Sequence, residues 1–147
     1  MAGEFGVNVP WPAGHGAMVR RMAAIAERAV AAQAEADVAI RACGVLGTLP
    51  SELAARLGVI LRAYSQFYYE AKGLEPSQDP ELAVLRRTLL ELLSYHLHML
   101  RDAGDLVFSG REVPRNDRFR LELAQGLGPR AEDLQGLLGR LVWDRQV

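Results

Sequence analysis

The sequence predicts an all-α protein, an antiparallel helical bundle of three long helices followed by short C-terminal helices. Three observations predict it. In three successive segments apolar or uncharged residues recur at alternating steps of four and three, and no charge interrupts the stripes. Such a 3.5-residue spacing holds one helical face against a partner helix along its whole length. The prolines fall between those segments or at their first position, where helices start and stop. The chain has 147 residues, half of them hydrophobic and 24% charged, which suits one globular domain with a real core.

Residues 1–16 read as an irregular N-terminal arm and 17–147 as a single helical-bundle domain. In the arm, Pro10 and Pro12 flank Trp11, with Gly14 and Gly16 close behind, a composition that opposes helix. The first helix is expected from Ala17 to Leu46 on the stripe Met18, Met22, Ile25, Ala29, Ala32, Ala36, Ala39, Cys43 and Leu46. At 1.5 Å per residue that stripe is roughly 42 Å long. Eleven alanines between Ala17 and Ala42 raise helix propensity and leave smooth flanks. Thr48, Pro50 and Glu52 then read as a helix start. The second stripe is Leu53, Leu57, Ile60, Tyr64, Phe67, Ala71 and Leu74, closed by Lys72 and Gly73.

Asp79 and Pro80 are the N-cap and first residue of a third helix. Its stripe is Leu82, Leu85, Leu89, Leu92, His96, Met99 and Ala103, ending at Gly104. A second row, Leu90, Leu93, Leu97 and Leu100, widens the apolar face and predicts a helix buried on two sides. Residues 106–113 read as a short β-hairpin about Ser109-Gly110 or as a loop. A short helix from about Arg118 to Gln125 follows. After Gly126, Gly128 and Pro129 a last helix bears Leu134, Leu138 and Leu141, with Trp143 near its end. Gly136 and Gly139 weaken it or mark a close packing point.

Composition excludes several function classes. The net charge of −1 offers no overall attraction for polyanions. The longest apolar run, Leu92 to Leu100, contains two histidines and is far shorter than the ~20 residues that span a bilayer, so no membrane partner is expected. A single cysteine, Cys43, fits a cytoplasmic chain without disulfides.

Candidate chemistry is sparse. His96 lies on the third stripe, where a hydrogen-bonded core histidine is the expectation and a buried pH sensor or bundle site the alternative. Glu91, Tyr95, His98 and Asp102 form an outer row at helical spacing, as solvated i,i+4 pairs commonly do. No metal-spaced Cys/His cluster, di-iron ligand pair or phosphate loop occurs. The expectation is a chain with no cofactor, no metal and no catalytic residue. Four of the ten aromatics stand at Tyr64, Phe67, Tyr68 and Tyr69. The first two are core by spacing, and Tyr68 and Tyr69 point elsewhere. Trp11, Met18, Met22, Tyr68 and Tyr69 are therefore the candidate interface residues, aromatics being frequent interface anchors.

Two segments resemble bacterial helix-turn-helix regulators. Ser94-Tyr-His-Leu-His-Met-Leu-Arg-Asp-Ala-Gly104 is similar to the recognition helix and exit of ArsR-type winged helices, and Leu106–Val113 with Arg118–Leu121 resembles the two wing strands. Ser51–Val59 and Tyr68–Leu74 resemble pieces of a MerR-type motif. The ArsR resemblance implies a DNA-binding transcriptional regulator over 81–121. It would place Tyr95 and His98 in the major groove, with Arg111, Arg115, Arg118 and Arg120 as wing and phosphate contacts. A helix-turn-helix needs a turn. Where these alignments put it, Arg86-Arg87-Thr88-Leu89 and Ile60-Leu61-Arg62 continue the helical stripes. The expected function is a non-catalytic helical bundle mediating protein–protein interaction, as a homodimer or an adaptor. The alternative is the DNA-binding winged helix, and the two readings part at Arg87.

Overall fold

The structure is a computed structural model that describes residues 15–46, 51–109 and 121–145. The described residues form α1 (His15–Ala31), α2 (Gln33–Leu46), α3 (Ser51–Lys72), α4 (Pro80–Ser109) and α5 (Pro129–Arg145), with a helical turn at 121–123 before α5. The all-α class and the helical packing are as the stripes predict. The Trp11 arm and the Thr48–Pro50 helix start lie outside the described residues.

α3 buries Leu57, Ile60, Tyr64, Phe67 and Ala71, the predicted face. Asp79 caps α4 as its sequence implies, its carboxylate accepting from the N–H groups of Glu81 at 2.9 Å and Leu82 at 3.2 Å. Both rows of α4 are covered: Leu82, Leu85, Leu89 and Leu92 on one, Leu93, Leu97 and Leu100 on the other. α4 is thus the central helix. Arg86 turns back to finish α3, donating to the carbonyls of Leu74 at 3.1 Å and Lys72 at 3.0 Å.

Four expectations are corrected. The first helix is interrupted at Ala32, giving α1 and α2. The carbonyl of Ala29 accepts the Tyr64 hydroxyl at 2.6 Å as well as the Ala32 N–H at 3.2 Å, and that N–H is shared with Arg28. A side chain inserted into the hydrogen-bond ladder is a recognised cause of such breaks. Second, α4 does not stop at Gly104 but runs on to Ser109, because Leu106 is buried against the core. This removes the hairpin expected at 106–113 over its first four positions, and 110–113 lie outside the described residues. Third, α5, with 17 residues, is a full member of the bundle rather than a short helix following it, packing along α1 and touching α4. It takes up the length of the first segment that α3 does not cover. Fourth, of the two readings of Gly136 and Gly139 the close packing point is removed, since a Cβ at either would meet nothing within 4 Å.

Named pairs give the directions. Arg28–Glu70 and Glu35–Arg56 set the first segment antiparallel to α3. Tyr64 against His96, and Arg86 against Lys72, set α3 antiparallel to α4. Arg140–Glu81 and Tyr95–Leu127 set the C-terminal segment antiparallel to α4. The result is an up-down-up-down bundle.

α4 is unbroken through Arg86–Leu89, and α3 through Ile60–Arg62. The turn required by the ArsR and MerR resemblances is absent at both places, because Leu85, Leu89 and Leu92 need one continuous face to bury.

Candidate functional site

The most specific polar arrangement is buried where four helices meet at the Ala32 interruption. His96 is fully buried and Gln33 nearly so. Nδ1 of His96 lies 2.7 Å from the Leu92 carbonyl, so it carries the proton and donates. Nε2 is then an acceptor, and the Gln33 amide nitrogen donates to it at 3.0 Å. The same amide donates to the Ala131 carbonyl at 3.0 Å, and the Gln33 oxygen accepts from Gln135 at 2.8 Å. Tyr64 stacks on the imidazole at 5.6 Å between centroids and 14° between planes, and Tyr95 meets it edge-on at 5.9 Å. Burial lowers the His96 pKa, with the Leu92 hydrogen bond opposing. Burial also raises the Tyr64 phenol. Both hydrogens of the Gln33 amide, its oxygen and both histidine nitrogens are used. Such a set holds four helices in register and leaves no group for a substrate. His96 is thus the hydrogen-bonded core histidine of the first expectation.

Beside it, Asp37 anchors the turn before α5. Its carboxylate accepts from the Leu127 N–H at 2.8 Å and from Arg41 at 2.7 Å, and Arg41 reaches the Ala124 carbonyl at 3.3 Å. Gly126 fits there at φ 72°.

Two concavities open to the surface. The first, about 240 Å3 between α2 and α3, is floored by Val38, Ala39, Leu53 and Ile60, with the Glu35–Arg56 ion pair at its rim. Val38 is 60% exposed and Val59, on the flank, 56%. The second, about 280 Å3 between α3 and α4, brings Tyr68 and Tyr69 to Lys72, Ser94, His98 and Arg101.

The predicted residues divide accordingly. Tyr68, half-buried, and Tyr69, exposed, stand together with ring centroids 5.4 Å apart. Met22 is fully buried and Met18 half-buried under the chain's own side chains, so Met22 belongs to the core and not to an exposed interface. Tyr95 does not face outward beside His98 for base contacts. Its hydroxyl donates to the Leu127 carbonyl at 3.0 Å, and burial raises its pKa. The outer row splits there, leaving His98 paired with Asp102 at 3.1 Å. Burial raises the Asp102 pKa, while His98 pulls it down. Cys43 is buried, which pushes its thiol up to about 11. Trp11, Arg111, Arg115, Arg118 and Arg120 lie outside the described residues.

Sequence reasoning missed Gln33. Its signal is present: it stands four residues after Ala29 and three before Ala36, beside the stripe and among alanines. Among the described residues no group of three His, Cys, Asp or Glu side chains could hold a metal ion, and no helix is long and apolar enough to cross a membrane. Comparison of the chain with protein-family models, curated proteins and solved structures finds no match.

Proposed function

We propose that this is a non-catalytic interaction protein of the cytoplasm that acts through the groove between α2 and α3, and that the groove's first occupant is a second copy of the chain. The observation that carries the reading is the apolar floor of Val38, Ala39, Leu53 and Ile60, open on the surface with Val38 60% exposed. An exposed valine set among alanines lets another helix approach closely, since interhelix distance follows the size of the contacting side chains. The rim carries one charge of each sign, Glu35 and Arg56. A two-fold contact presents the same patch twice, so mixed charge suits it better than a rim of one sign. The lone, buried Cys43 fits a reducing compartment.

Light scattering coupled to gel filtration tests the reading on the full chain. The expected result is a dimer at micromolar concentration that Val38→Arg converts to monomer while the helical circular dichroism stays unchanged. A wild-type monomer at high micromolar concentration removes self-association. A dimer indifferent to Val38→Arg removes the groove.

A further inference from the structure

The second concavity, on the other side of α3, has opposite chemistry. Its wall is built from the C-terminal half of α3 and the middle of α4, and its polar side chains are Tyr68, Tyr69, Lys72, Ser94, His98 and Arg101. We propose that it is a binding site for a small phosphomonoester anion. No carboxylate lines it, and each polar side chain can donate: an ammonium, a guanidinium, an imidazole N–H and three hydroxyls. Among the described residues neither Lys72 nor Arg101 is held in an ion pair. Lys72 instead lies over the Tyr68 ring, 5.9 Å from its centroid, a weak hold that leaves its N–H groups available. The carboxylate beside the site, Asp102, is engaged by His98 Nε2 at 3.1 Å. That contact orients the ring and leaves Nδ1 outside the pair.

A lysine, an arginine and several hydroxyl donors match a phosphate's double charge and three terminal oxygens better than a carboxylate's single charge. The shape selects against a polymer. About 280 Å3 accommodates a phosphate with a small organic group, just under the range of ordinary ligand pockets. Duplex backbone is an extended surface that needs a broad basic face, whereas the whole chain carries a net charge of −1. Tyr69, 61% exposed at the rim, supplies a ring face for the organic part.

Titration of the full chain with inorganic phosphate and with phenyl phosphate, followed by amide chemical shifts and by calorimetry, tests the site. Saturable one-to-one binding is expected, tighter for phenyl phosphate, with shifts centred on Ser94, His98 and Arg101. Arg101→Ala and Lys72→Ala each weaken it by about tenfold or more, the usual effect of losing a charge-assisted bond. Arg87→Ala, on the same helix but outside the concavity, does not, and the melting temperature of all three variants stays near that of the wild type. Non-saturating shifts spread over surface arginines overturn the proposal, as does equal weakening by Arg87→Ala and Arg101→Ala. Duplex DNA displacing phenyl phosphate at low salt and binding more tightly also overturns it, in favour of a nucleic-acid surface.

Discussion

At the residue scale, His96 and Gly126 have consequences that can be measured. His96 is neutral in the fold, and burial holds its pKa below the ordinary histidine value. The folded state therefore binds fewer protons than the unfolded chain as pH falls past about 6.5, the unfolded histidine pKa. Its stabilising effect is complete above that pH and is lost as pH falls towards the folded pKa. Denaturant unfolding between pH 8 and 5.5, above the carboxylate range, should show stability falling with pH. His96→Leu should abolish most of that slope and cost about 1–3 kcal/mol at pH 8, because the Gln33 amide loses its acceptor. Gly126 and Gly128 separate two effects. Both have positive φ, 72° and 70°, but a Cβ on Gly126 would collide with the Asp37 carboxylate, whereas at Gly128 nothing lies within 4 Å. Gly128→Ala should cost about 1–2 kcal/mol from backbone strain alone. Thermal or denaturant unfolding should find Gly126→Ala distinctly worse, since it also displaces Asp37 from Leu127.

At the element scale, the interruption at Ala32 is made by another helix. Nothing local demands it, for Ala31-Ala32-Gln33-Ala34 is strongly helical text. Tyr64 of α3 draws off the Ala29 carbonyl, and Gln33 begins α2 with its side chain committed to His96 and Ala131. Tyr64→Phe keeps the ring stack on His96 and removes only the hydroxyl. It should cost about 1–2 kcal/mol by leaving a buried carbonyl short of a donor. Amide exchange should change most at residues 32–36, where the ladder can close over the lost contact. A variant whose exchange changes uniformly along α1 and α2 would place the cause of the break elsewhere. The first stripe was legible as an apolar face because its spacing is local. Its division was not, because the competing hydroxyl comes from 35 positions away in the chain.

At the scale of the whole molecule, α4 joins the bundle, with α3 along it and α2 and α5 against it. Leu93 at its centre is fully buried and Leu121 on the turn is 70% exposed. Leu93→Ala should cost about 2–5 kcal/mol, the range for a core cavity, and Leu121→Ala less than about 0.5 kcal/mol, both read from urea unfolding. The four-helix knot about Gln33 and His96 implies one cooperative transition, with helical and tyrosine signals lost together. The same continuity of α4 excludes a turn at Arg87. Two successive leucine rows cannot both face the core if the helix is cut between Leu85 and Leu92.

Sequence alone determined the helical class, the cap at Asp79, the end of α3 at Lys72–Gly73 and the double-faced burial of α4. Each is written in the spacing of residues within one or two helical turns. It also determined the place of Tyr64 and Phe67 in the core and the exposure of Tyr69, whereas Tyr68 is half-buried against that core. Tertiary structure decided the break at Ala32, the run of α4 past Gly104, the promotion of α5 to a bundle helix and the burial of Gln33 against His96. Each depends on which distant helix supplies a hydrogen-bond partner or an apolar surface, and no local periodicity encodes that choice. The two surface concavities belong to the same group, for a groove is made by two helices and its lining is read only once they are side by side.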